Sequence, residues 1–538
     1  MQTLVAVPRD IKHYILQFIT DPRDLYSLIL TCKELREAAV PFYYNIVHVQ
    51  GNVALSVLAA GLVPTNPGLQ HVRHLVIKEP YRDESIECQQ CPMQSGTDNA
   101  LTLLANLLPY DRLLTFTCDC AVPLPSGIMA TLYRRQPKLR TLRLDSFHLD
   151  PVIASLSQQR RANNATVYIC TSEPDEALCW NQVLPTLSNL RNLEVIASAD
   201  WFDGAYLLTA KESSEVLAKL FDWTSQESQY KLHLHTLQVQ RFNLTDAAEI
   251  LRDNIHFPGL QVLGIQRCAD SVRLLEVLHE THELESLNLR TLIIIEAEQS
   301  PQSGVHNPAL SRLLSTFNTL EHLVVSTKRN AAYWPDFKAL AGHAASLRLV
   351  RLDCPRPRSP NLRIPGGSLR QLHKLEQIAL PMPNINLEEA DYGAKAHSFR
   401  EMRSLLKYLR ALPSLQTVQM LDIGLDDVDV EQNDRQILEG HILRQMRTLA
   451  DYIFKAMSNL RALGLEQCVD LDRNPNDRRK IRTEKLYHRG KTFDAQGHEH
   501  TTAIEASLRK LKRIEPAVEV LDMEALGHGG LLRYGYDL

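Results

Sequence analysis

The residue types best suited to chemistry in this chain are its ten cysteines and twenty histidines, and spacing decides what they can do. Cys88-x-x-Cys91 is a knuckle that could supply two soft ligands to a tetrahedral zinc ion, but the next pair, Cys118-x-Cys120, is spaced too tightly to be a second knuckle. Unrelated reduced thiols are therefore expected at all four positions. His279-Glu280-Thr281-His282 looks like a metalloprotease motif, yet two imidazoles share one helix face only at i and i+4, and these stand one residue too close. His498-x-His500 is an equally weak metal signal, set in a polar loop. The sequence offers no Gly-rich phosphate loop, no G-x-S-x-G elbow and no paired-carboxylate setting. The chain is accordingly expected to have no catalytic residue, no bound metal and no cofactor.

Charge offers binding chemistry instead. A formal charge of -4 gives no global preference for nucleic acid or for a membrane surface, but the charge is unevenly placed. Ala341 to Lys374 holds Arg348, Arg351, Arg356, Arg358, Arg363, Arg370 and Lys374 against only Asp353; Leu421 to Asp434 is acidic; Arg473 to His500 is basic again. These segments read as solvated loops. The arginines around Arg351 also suit an acidic or phosphorylated partner, because guanidinium pairs bidentately with phosphate. The start, MQTLVAVPRD, has no basic leader ahead of an apolar run, so the chain is expected in cytoplasm or nucleus.

The elements that must carry these residues are announced by a recurring unit. Leu460-x-x-Leu463-x-Leu465-x-x-Cys468 is its clearest copy, and Leu260-x-x-Leu263-x-Ile265-x-x-Cys268 repeats it position for position. Further copies start at Leu139, Leu190, Leu234, Leu284, Leu320, Leu347, Leu375, Leu415 and Val518. Period-2 alternation in each predicts one short strand with a buried face. The middle positions 142, 167 and 193 are 25 and 26 residues apart, and 323, 350 and 378 are 27 and 28 apart. This pattern resembles a leucine-rich repeat, which implies an α/β solenoid with a parallel β-sheet on the concave face and helices on the convex face.

Between the two buried positions of such a strand, one side chain points to the concave surface. Reading those positions gives Arg143, Glu194, Gln238, Asn288, Arg351 and Gln419 as candidate substrate-binding residues, among smaller ones such as Gly264 and Gly464. The row is polar and mixed in sign, which suits a macromolecular partner better than an enclosed small-molecule pocket.

Residues 7 to 45 have a different texture. Ile11, Tyr14, Ile15, Phe18 and Ile19 fall at helical spacing behind Pro8, Thr20-Asp21-Pro22-Arg23 breaks that helix, and Asp24 is placed to cap a second that runs through Leu35 towards Pro41. Val7-Pro8, the spaced aliphatics, Asp24-Leu25, Leu28, Thr31-Cys32-Lys33 and Pro41-Phe42-Tyr43-Tyr44 together resemble an F-box, an all-α trihelical motif. Leu107 to Leu144 is similar to a stretch of fungal F-box repeat proteins. The resemblance implies an F-box at 1–50, a leucine-rich-repeat solenoid with loop insertions at 51–525 and a mobile tail at 526–538. It also implies a substrate receptor of an SCF-type cullin-RING ubiquitin ligase. Pro8, Ile11, Ile15, Phe18, Leu25, Leu28, Cys32 and Lys33 would then dock on a Skp-type adaptor while the repeats hold a protein substrate. The alternative is a repeat scaffold with no ubiquitin-ligase role, whose N-terminal helices cap the stack. No nucleic-acid or membrane partner is expected.

Overall fold

The structure is a computed structural model. It describes residues 7–19, 21–50, 65–78, 105–119, 131–132, 134–145, 166–171, 177–178, 180–181, 184, 190–197, 208–221, 231–296, 308–326, 335–353, 369–381, 397–421, 435–470, 480–494, 496–515 and 517–521. The chain divides into two compact units, Met1–His256 and Phe257–Leu538.

The first unit opens with three helices, α1 (Arg9–Leu16), α2 (Pro22–Thr31) and α3 (Lys33–Tyr43). Pro8 is the N-cap of α1 and lies outside the first turn. Asp21, and not the expected Asp24, caps α2: its carboxylate accepts from Arg23 N at 2.8 Å, with Pro22 at the first helical position where no N–H is needed. The expected continuous second helix breaks at Cys32, whose backbone is extended, and α3 then runs through Pro41 to Tyr43. Leu16, Leu25, Ala38 and Ala39 form the core of this head, with Leu28, Ile29 and Phe42 packed around them. The two alanines let α3 lie against both α1 and α2.

Seven strands follow: β1 (Ile46–Gln50), β2 (His74–Lys78), β3 (Thr115–Asp119), β4 (Thr141–Asp145), β5 (Thr166–Thr171), β6 (Asn192–Ala197) and β7 (Thr236–Gln240). Each pairs in parallel with the next in sequence order. The register sets Leu75, Phe116, Leu142, Val167, Leu193 and Leu237 in one transverse row, and every member is buried. At the entry to most strands, two successive N–H groups donate to one carbonyl of the preceding repeat, as Arg140 and Thr141 do to Leu114. Helices α4 (Ala210–Phe221) and α5 (Leu244–Asn254) bury their apolar faces in this unit; Asn243 caps α5 by accepting from Thr245 N.

The second unit continues the same alternation. Its parallel strands are β8 (Val262–Cys268), β9 (Thr291–Glu296), β10 (His322–Ser326), β11 (Leu349–Asp353), β12 (Gln377–Pro381), β13 (Thr417–Leu421) and β14 (Ala462–Asp470). Between them run α6 (Ser271–Leu284), α7 (Pro308–Thr316), α8 (Phe337–Ala341), α9 (His397–Arg410) and α10 (Arg435–Ala456). Leu263, Leu292, Leu323, Val350, Ile378, Val418 and Leu463 make the buried row, each at most 2% exposed. Burying one such side chain contributes roughly 1.5–3 kcal/mol, so the row is the main reason successive repeats stack within this unit. The fold is α/β and compatible with a repeat solenoid, as expected.

Three sequence expectations are corrected in this unit. The copy at Leu284, Leu287 and Leu289 is not a strand: Leu284 ends α6, and β9 uses the overlapping frame Leu289-x-x-Leu292-x-Ile294. The basic stretch is not a loop throughout, since β15 (Lys480–Phe493) and β16 (Glu499–Glu505) form a hairpin that extends the sheet antiparallel from β14. The last helix, α11 (Leu508–Ile514), is capped by Ser507. Val518 to Leu521 is no repeat strand but an irregular segment ending in a 3-10 turn.

Candidate functional site

Three surfaces collect the residues singled out by sequence. The first is the helical head. Leu16 and the stem of Lys12 turn inward from α1, which leaves Ile11, Tyr14, Ile15 and Phe18 on its outer side at i, i+3, i+4 and i+7. They are 47, 61, 37 and 47% exposed, and Leu30 and Tyr26 of α2 add 61 and 49%. Tyr14 and Phe18 meet edge to face at 5.0 Å, so the ridge is ordered by its own contacts. Pro8 and Lys33 are exposed beside it, and Leu28 and Cys32 are half-buried. Leu25, expected at the docking surface, is 5% exposed and belongs to the core of the head, so it cannot reach a partner. Tyr26 and Leu30 are the surface residues that the spacing argument passed over, and Tyr14, which it placed on the helix without a docking role, joins them.

The second surface is the face of the first unit opposite its buried row. Parallel register places Arg143, Tyr168, Glu194 and Gln238 side by side on β4 to β7. The Arg143 guanidinium carbon lies 5.4 Å from the centre of the Tyr168 ring, a cation–π distance. Gln240 donates from Nε2 to Glu194 Oε1 at 2.5 Å. Burial pushes the Glu194 carboxyl up to about 7, against the opposing pull of Arg143, and burial together with Glu194 raises the Tyr168 hydroxyl. Three of the expected substrate-binding residues are thus brought together here, with Tyr168 and Gln240 as members that the reading of single positions missed.

The third surface is the corresponding face of the second unit, where expectation and structure part. Arg351 and Gln419 sit at the alternate positions of β11 and β13, yet they are only 1 and 2% exposed. Residues 517–521 lie across them: Arg351 Nη1 donates to Val520 O at 3.1 Å, Val520 N donates to Gln377 Oε1 at 2.8 Å, and Thr417 Oγ1 donates to Ala517 O at 2.5 Å. Arg351 also donates to Gln419 Oε1, and Gln419 Nε2 donates to Glu484 Oε1 of β15 at 2.9 Å. Leu511, Val518, Val520 and Leu521 pack with Val324, Leu349, Ala379, Leu421 and Ala462 into one buried cluster. The chain's own segment therefore covers this face, and neither Arg351 nor Gln419 is available to a substrate. Asn288 precedes β9 and is exposed away from the row; Ile293 takes the position assigned to it. The acidic or phosphorylated partner expected at Arg351 loses its anchor, and Arg356, Arg358 and Arg363 lie outside the described residues.

Other candidates have structural roles. His282 accepts from Leu287 N at 3.1 Å through Nδ1 and so closes the end of α6, while His279 faces Glu283 on the same helix. Both His498 Nδ1, in the turn of the last hairpin, and His500 Nε2, in β16, contact Asp494 Oδ2, at 3.1 and 2.9 Å. Cys268 is buried with its thiol donating to Gln266 O, and Arg489 of β15 donates through Nε to Leu460 O at 2.9 Å. The Cys118 side chain is buried; Cys88, Cys91 and Cys120, the acidic segment 422–434 and the tail 526–538 lie outside the described residues. Among the described residues no group of three or more His, Cys, Asp or Glu is placed to hold a metal ion. No helix among them is long and apolar enough to cross a membrane. No family model and no curated protein matches this chain.

Proposed function

We propose that this chain is the substrate-recognition subunit of an SCF-type cullin-RING ubiquitin ligase, with its three-helix head docking on a Skp-type adaptor and its repeats holding a protein substrate. The observation that carries this reading is the outward apolar row of Ile11, Tyr14, Ile15 and Phe18, with Leu30 and Tyr26 exposed on α2, on a head that already has its own core. A row of large apolar side chains left open to water along one helical segment is unfavourable unless a partner covers it. Pure capping of the stack would place that ridge inward, so its exposure favours the receptor reading over the scaffold. Substrate residues would be held by the first unit, on the face bearing Arg143, Glu194 and Gln238, because the equivalent face of the second unit is covered. The contribution of the chain is then proximity between a bound substrate and the ubiquitin carried by other subunits, and it needs no nucleophile of its own.

Co-precipitation of the full chain with a Skp-type adaptor tests the reading. The unaltered chain should retain the adaptor, and Ile11→Asp with Phe18→Asp should lose it while remaining folded. Failure of the unaltered chain to bind, or equal binding by the double variant, would leave the scaffold reading in its place.

A further inference from the structure

We infer that the face of the first unit opposite its buried row carries a binding site for the guanidinium group of a protein partner, built by Glu194, Gln238 and Gln240 beside Tyr168. The inference deepens the substrate-holding part of the proposed function and rests on it, but adaptor docking plays no part in it.

The chemistry of the donor set leads there. Glu194 and Gln238 are direct neighbours across β6 and β7, about 5 Å apart by strand spacing, and Gln240 is the next residue of β7 on the same face. Glu194 is 8% exposed and Gln240 is 2% exposed, while Gln238 and Tyr168 beside them are half-buried, so a ligand would enter from the side of Gln238 and Tyr168. Gln240 commits its amide N–H to Glu194, which leaves its own carbonyl oxygen as an acceptor; that oxygen and Gln238 Oε1 are both enclosed and receive no hydrogen bond. With Glu194 ionised, its carboxylate and the two amide oxygens on one small area are all acceptors, and they call for a ligand that brings several donors and a positive charge. Guanidinium presents five N–H groups in a plane and is the most weakly hydrated cationic side chain, so it loses least on entering such a site. Lysine would bring three donors from one point and a stronger hydration shell.

Electrostatics supports the geometry. Arg143 on β4 and Tyr168 on β5 are the charged and titratable groups facing Glu194, and β7 offers only the two neutral amides. Arg143 stacks over Tyr168 and does not bring the carboxyl back to its ordinary range, so the acid still holds its proton at a pH where an exposed glutamate has lost it. A bound guanidinium would favour the carboxylate and expel that proton. Affinity should therefore rise as pH rises through about 7, by up to tenfold per pH unit below the midpoint, and level off above it.

The test uses the full chain labelled with carboxyl-13C glutamate and two probes, N-acetylarginine methylamide and its citrulline counterpart, which keeps the shape and removes the charge. Glu194 is identified as the carboxyl resonance absent from Glu194→Gln. The arginine probe should lower the Glu194 midpoint by about one unit or more at saturation, the citrulline probe should leave it in place, and Glu194→Gln and Gln238→Leu should each weaken arginine binding by about tenfold. An unmoved midpoint, an equal response to citrulline, or undiminished binding by folded Gln238→Leu would overturn the inference. Adaptor co-precipitation run on the same variants separates the two readings, since they should retain the adaptor in full whether or not the arginine site exists.

Discussion

Arg351 donates a hydrogen bond of 3.1 Å to the carbonyl of Val520, a residue 169 positions further along the chain. That bond seats the closing segment on a face that the repeat pattern alone would leave open to a partner. The guanidinium is buried, with Gln419 as a second acceptor and Asp353 at 3.6 Å.

Removing this anchor should loosen the segment. Arg351→Ala should cost about 2–4 kcal/mol, since it deletes a buried charged donor and leaves its acceptors unmatched. Amide hydrogen exchange is the check: protection around 349–353 and 517–521 should fall together, with the helical head unchanged.

Gly464 gives a second handle on the same contact. A Cβ built there would stand 2.7 Å from Leu521 Cδ2 and 3.0 Å from Gln419 Cγ, so the glycine is what makes room for Leu521. Gly464→Val should expel the leucine and expose the segment to protease, whereas Gly440→Ala, with nothing within 4 Å, should be silent. Limited proteolysis of the two variants under one condition distinguishes them.

On the head, surface and core should respond differently. Leu30→Asp should leave helicity intact and remove adaptor binding. Leu25→Asp should instead unfold the three helices by placing a charge in the core formed with Leu16, Ala38 and Ala39. Circular dichroism of the isolated variants, read beside co-precipitation, separates lost contact from lost fold.

Glu194 should make stability depend on pH with a definite sign. Its carboxyl is raised from 4.5 to about 7, so the folded chain holds a proton that the unfolded chain has released. Stability from this group is full below about pH 4.5, declines as pH rises to about 7 and is flat above, by on the order of 3 kcal/mol at most. Glu194→Gln should therefore gain on the unaltered chain between pH 5 and pH 8 in denaturant unfolding. A constant difference between the two would mean that Glu194 is ionised throughout.

Much of the fold was legible because each strand must hide two leucine-like residues on one face, and that constraint repeats. Leu142, Leu193, Leu237 and Leu463 therefore stand where the spacing puts them. The frame slipped at residues 284–294 because two overlapping leucine triplets satisfy the same rule, and the end of α6 claims the first. Val518 and Leu521 fit the repeat spacing equally well, but they cross the sheet face, a difference set by tertiary contacts with Arg351, Gln377 and Thr417. β15 was hidden by its basic residues, which sit on a strand whose Leu486 and Tyr487 carry the burial. Of the candidate sites, the apolar ridge of α1 was readable from helical spacing. The grouping of Tyr168 and Gln240 with Glu194 was not, because it depends on register between strands far apart in sequence.

The most direct measurement is amide hydrogen exchange of the full chain with and without a saturating Skp-type adaptor. New protection should appear over residues 9–31, where Ile11, Phe18 and Leu30 lie, and residues 517–521 should be unaffected. Absence of protection over α1 and α2 in a chain shown to be folded would contradict the receptor reading.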